Sequence, residues 1–178
     1  MTVVSETSTP SDVRFTLKDE EPDEEEPRVD AAKSSAHETY RVWWQTVLEM
    51  QFDDPEQSPP VLHFPNNVRA RLPWPKLWIA AYRGGTGPKA ECGVGLGGDP
   101  QERRAVWDML GQDIEGLMKE LPGAIPITWA DAPGLSTRKL ESEFANATAE
   151  REWLIQTLNG FVNALRPRMK RLLEQTHR

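Results

Sequence analysis

All seven tryptophans of this chain lie between residues 43 and 153. Trp43, Trp44, Trp74, Trp78, Trp107, Trp129 and Trp153 are large side chains that need a shared interior. That interior therefore has to be built behind residue 36. The first 36 residues hold ten acids against four bases, a formal charge of −6, whereas the other 142 carry only −1. Pro22 and Pro27 bracket the acidic run, and large apolar residues are few. Such a segment buries too little surface to offset the entropy of ordering it, so residues 1–36 are expected to form a disordered acidic tail. Its plain role is a solubilising leader. Its sharper role is an arm that mimics nucleic acid or docks on a basic partner, although Phe15 is its sole aromatic anchor. Residues 37–178 are long enough for one domain with one core.

The chain has no stretch of about 18 apolar residues, the length a spanning helix needs. Its start lacks the basic-then-apolar order of a signal peptide. Cys92 is the single cysteine, which excludes a disulfide framework and any multi-cysteine metal site. One thiol without an export signal leads to an expected cytoplasmic location.

The spacing predicts a first helix over 36–50, with Ser35 as N-cap and Glu38 completing a capping box. Tyr40, Trp43, Trp44, Val47 and Leu48 then share an apolar face. Asp53, Asp54, Pro55, Ser58, Pro59 and Pro60 form a loop. Leu72 to Arg83 reads as a strand, Gly84, Gly85 and Gly87 as a turn, and Lys89 to Leu96 as the hairpin partner. A second helix is expected over 100–121. Asp99 caps it, Pro100 opens it and Pro122-Gly123 ends it, with Asp113 interrupting its apolar stripe. Ile125 to Ala130 and Leu135 to Phe144 form a second hairpin. A last helix spans 148–174, with a kink or break at Pro167. The order α-β-β-α-β-β-α predicts an α+β domain: an antiparallel sheet of two hairpins packed with three helices.

Gly93-Val-Gly95-Leu-Gly97-Gly98 matches the spacing of a dinucleotide fingerprint. Asp99 would repel a pyrophosphate at the helix start, and a hairpin is not the parallel βαβ unit that the motif needs. The expected alternative is a glycine-rich strand face closely approached by another element. His37, His63 and His177 are too scattered for a metal site, and Cys92 reads as an inert core residue, not a nucleophile served by His63. The acid-x-lysine pair of a metal-dependent nuclease is missing, and Glu141 and Glu143 read as the solvent face of a strand. No catalytic residue, cofactor or metal is therefore expected. Arg69, Arg71, Lys76, Arg83 and Lys89 form one basic group. Arg166, Arg168, Lys170 and Arg171 form a second, which also suits the negative end of the last helix. The candidate contacts for a partner or nucleic acid are Trp43, Trp44, Arg69, Arg71, Arg166, Arg168 and Lys170.

Several stretches together carry a family resemblance. Tyr40-Arg-Val-Trp43-Trp44 opens a helix, and Trp78-Ile-Ala-Ala-Tyr82 precedes a strand ending Gly97-Gly98-Asp99. Trp107, Ile127-Thr-Trp129 and Ser136-Thr-Arg138-Lys139-Leu140 follow, and the last helix holds Trp153-Leu154, Phe161 and Leu165-Arg166-Pro167-Arg168-Met169-Lys170. Across residues 37–172 the chain resembles the bacterial and archaeal family named domain of unknown function 4268. The glycines at 93, 95 and 97 depart from the bulkier or acidic residues usual there. The family is often appended to nuclease-like or other domains of defence or DNA-processing proteins. The resemblance implies a non-catalytic accessory module with a nucleic-acid-processing or defence-related protein partner, or self-association. Direct nucleic-acid binding is the alternative.

Overall fold

The computed structural model describes residues 31–177. Most of the expected acidic tail lies outside the described residues. Residues 31–36 belong to the first helix, α1 (Ala31–Leu48), which starts ahead of the expected cap at Ser35. Four strands follow: β1 (Val61–Phe64), β2 (Asn67–Arg71), β3 (Leu77–Gly84) and β4 (Glu91–Gly98). Then come α2 (Pro100–Leu110), α3 (Ile114–Glu120), the hairpin β5 (Ile125–Trp129) and β6 (Ala132–Leu140), and α4 (Ala147–Thr176).

The strands make one six-stranded antiparallel sheet in the order β1-β2-β3-β4-β6-β5. The α+β class and both expected hairpins are present. The β1–β2 hairpin is an addition: its strands are short, and β2 alternates Val68 and Ala70 with Asn67, Arg69 and Arg71, so its apolar half is weak. β3 starts at Leu77, later than expected, because Pro73 and Pro75 supply no backbone donor and Lys76 turns at φ 56°. The expected helix over 100–121 is divided. A 3-10 turn at Gly111–Asp113 separates α2 from α3, at the polar residue that interrupts the stripe. β6 ends at Leu140, so Glu141 and Glu143 lie in a 3-10 turn instead of on a strand face. α4 passes through Pro167 as one helix, with that ring on its exposed side.

Strand alternation sorts the sheet into two faces. Val68, Ala70, Leu77, Ile79, Ala81, Cys92, Val94, Leu96 and Leu135 point into the core, where they meet Trp44, Val47, Val106, Leu117, Leu154, Leu158, Phe161 and Leu165. The helices thus cover one face. Among the described residues no helix lies on the other, and no helix is long and apolar enough to cross a membrane.

Candidate functional site

The uncovered face is shaped by cross-strand register. Trp78 sits opposite Gly97, Ala80 opposite Gly95, and Tyr82 opposite Gly93. A Cβ at Gly97 would stand 2.5 Å from Trp78 Nε1, and one at Gly93 would stand 2.5 Å from the Tyr82 hydroxyl. The two aromatic side chains therefore lie down across β4, and only glycine leaves room for them. Between them the register sets a row of small residues, Ala80, Gly95 and Ser136, with Arg69 at one end and Ile125 at the other. This row is the floor of a trough. Trp78, Ile127 and Trp129 wall one side and Tyr82 the other, enclosing a cavity of 290 Å³.

The Arg69 guanidinium stacks 4.0 Å above the Trp78 ring. Arg69 Nε and Asn67 Oδ1, both at the trough, are buried atoms without a hydrogen-bond partner. Burial pulls the Arg69 pKa below its usual value, and burial together with Arg69 lowers that of His63. Burial also raises the Tyr82 phenol, against a hydrogen bond to Ser136. Among the described residues six large apolar side chains are exposed: Val61, Ile125, Trp129 and Leu140 share the trough's face, and Tyr40 and Val42 lie on α1. That concentration of apolar surface on one face is the pattern of a binding site.

Arg103 anchors one wall. The β4–β6 ladder stops at Gly95 and Ser136, and the strands then diverge. The Arg103 side chain, fully buried, fills the split. It donates to the carbonyls of Gly98 (3.2 Å), Ala132 (3.2 Å), Pro133 (3.2 Å) and Trp129 (2.9 Å), and stacks 3.9 Å from the Trp129 ring. Arg103 thus ties the end of β4 to the β5–β6 hairpin and holds Trp129 in place. Sequence reasoning missed Arg103. A signal existed: it precedes Val106 by three and Leu110 by seven, so it sits on the buried stripe of α2.

The sequence-derived candidates separate. Arg69 and Arg71 reach the trough's face, with Arg71 exposed beside Trp78. The basic group of α4 is already engaged. Arg166 Nε lies 2.7 Å from Asp54 and its Nη1 donates to Gln57, Lys170 pairs with Glu56, and Arg168 binds Asp113 (2.9 Å) and Glu120 (2.7 Å). Asn159, Asn163, Arg166 and Lys170 form one helical stripe that fastens the loop before β1 through Asp53, Asp54 and Glu56. Trp44 is buried and donates to the Pro65 carbonyl (3.0 Å), whereas Trp43 is half-buried under the Arg83 guanidinium (4.0 Å).

Cys92 faces the core beside Glu150, with its thiol pushed up to about 12, first by burial and then by that carboxylate. β2 and β3 separate its strand from that of His63. Gly93, Gly95 and Gly97 sit in an antiparallel strand, and Asp99 spends its carboxylate on the Gln101 and Glu102 amides (2.9 and 3.2 Å), so this run is packing for Trp78 and Tyr82. Among the described residues no three His, Cys, Asp or Glu side chains converge as a metal site.

Both sheet edges discourage strand addition. β5 carries Pro126, and β1 is four residues long between Pro59-Pro60 and Pro65. Comparison with known proteins finds no match: no family model fits the chain, and no curated protein or solved structure is similar to it at a significant level.

Proposed function

We propose that this chain is a non-catalytic binding module that recognises its target with the helix-free face of its sheet. The supporting observation is the trough: small residues along the floor, aromatic walls, and the Asn67 amide and Arg69 guanidinium in its lining. The resemblance to domain of unknown function 4268 extends the proposal to an accessory role beside a nucleic-acid-processing or defence-related protein. Direct nucleic-acid contact is the second reading. Arg69 and Arg71 favour it because they share a face with Trp78 and Tyr82, whereas Arg166, Arg168 and Lys170 are taken up by acids of the chain itself.

The test is amide shift mapping of the isotope-labelled full chain against a library of planar heterocycles, short peptides and nucleotides. Binders are expected to move Ala80, Gly95 and Ser136 together. Shifts confined to the surfaces of α1 and α4, or no shift from any class of probe, would remove the proposal.

A further inference from the structure

The trough's chemistry narrows what it holds, on the premise that this face is the binding face. We infer that it is a site for a planar nitrogen heterocycle with adjacent donor and acceptor groups on one edge, the chemistry of a nucleobase, whose attached phosphate lies toward Arg71.

Shape comes first. The volume of 290 Å³ lies at the lower limit of ligand sites, which begin at about 300 Å³. One ring system fits such a space, and a folded peptide segment does not. The walls are rings on both sides, Trp78 and Trp129 against Tyr82, and the floor of Ala80, Gly95 and Ser136 has no long side chain to obstruct a flat body.

Polarity comes second. Asn67 and Arg69 both line the cavity, an amide beside a guanidinium. They project from one strand, two residues apart, on the same face. An amide and a guanidinium offer donors and an acceptor to the edge of a ring, and each nucleobase presents donors and acceptors on its edge. The Arg69 guanidinium is stacked on Trp78, so its plane is held before a ligand arrives.

Charge comes third. The cavity lining holds one cation, Arg69, and no acid, and Arg71 stands exposed next to Trp78. The other arginine of this face, Arg138, is 3.9 Å from Glu91. The free positive charge is therefore at the β2 side, where an anionic tail is attracted and a cationic ligand is repelled. A free nucleotide and an unpaired base of a single strand share this chemistry.

The experiment titrates the full chain with AMP, GMP, CMP, UMP, inorganic phosphate and single strands of about eight nucleotides. Tryptophan fluorescence and the amide shifts of Ala80 and Gly95 report binding. At least one nucleotide or strand is expected to move these reporters, and phosphate alone is not. Ala80→Val fills the floor with a strand-favouring residue and should weaken binding about tenfold or more. Asn67→Leu removes the acceptor without touching the floor and should do the same if Ala80→Val fails to fold. Equal affinity for mononucleotide and strand assigns the site to free nucleotides. A strand that binds at least tenfold tighter, and loosens steeply with salt, assigns it to single-stranded nucleic acid. Reporters unmoved by every nucleotide and strand, or binding unchanged by both substitutions, would overturn the inference. If another heterocycle still shifts Ala80 and Gly95 while nucleotides do not, the binding face stands and only the ligand class falls.

Discussion

At the scale of single residues, Arg103 shows how a charge is kept inside without a direct ion pair. Its guanidinium faces four carbonyl oxygens and the Trp129 ring. Removing it deletes four hydrogen bonds between α2 and the junction of β4 with the β5–β6 hairpin, and frees the tryptophan. Arg103→Met is expected to lower stability by about 2–4 kcal/mol. Urea unfolding checks the loss, and a red shift in tryptophan emission checks the release of Trp129. Arg103→Met that unfolds with an unchanged midpoint would refute this account. Cys92 offers a second check. A thiol raised to about 12 stays protonated at pH 8, so it should resist alkylation in the folded chain and react once urea exposes it. Rapid labelling without denaturant would contradict the burial.

At the scale of elements, β4 is a strand whose two faces do different work. Cys92, Val94 and Leu96 build the core, and Gly93, Gly95 and Gly97 receive the residues of β3. The positions differ in how much room is left. At Gly97 a Cβ would meet the Trp78 indole nitrogen at 2.5 Å, whereas at Gly95 the nearest atom, the Leu135 carbonyl oxygen, is 3.1 Å away. Gly97→Ala should therefore destabilise by about 1–3 kcal/mol, the usual cost of overpacking, and Gly95→Ala by less. Thermal melts of the two variants give the order, and a reversed order would show that Trp78 does not rest on β4. The alternation of glycine with apolar residues made this strand legible in the sequence, including its thin second face. The partners that fill the thin face were not legible, because they are set by the β3–β4 register. β2 was missed for a related reason: Val68 and Ala70 are modest apolar residues, and they become core only when β3 pairs beside them.

At the scale of the whole molecule, α4 organises the fold through its core stripe and through its charges. Leu154, Leu158, Phe161, Leu165 and Met169 are buried against the sheet, as their spacing predicts. The polar stripe of Asn159, Asn163, Arg166 and Lys170 holds the loop that leads into the first hairpin. Amide donors hold Asp53 below the usual carboxylate range, the Glu56 amide and Arg166 do so for Asp54, Lys170 for Glu56, and Arg168 for Glu120. Because these folded-state values lie below the unfolded ones, acid protonates the unfolded chain first. Their stabilisation is present above about pH 4 and is lost as pH falls through the lowered values. The urea midpoint should therefore hold steady from pH 7 to about 5 and drop below that. Arg166→Gln should flatten the drop, and a midpoint indifferent to acid would exclude these pairs as contributors.

The sequence by itself determined where the core could be, the first and last helices, two of the three hairpins, and that the glycine run was packing rather than a phosphate cradle. Those properties follow from periodicity, turn residues and charge, which are local. The tertiary structure alone decided which basic residues stayed available and where the trough lies. Arg166 and Arg69 are both arginines flanked by apolar residues in the chain. One meets Asp54 across more than a hundred residues, and the other stacks on Trp78 at the mouth of an open cavity. Pairing between distant segments fixes that difference, and no local pattern of residues contains it.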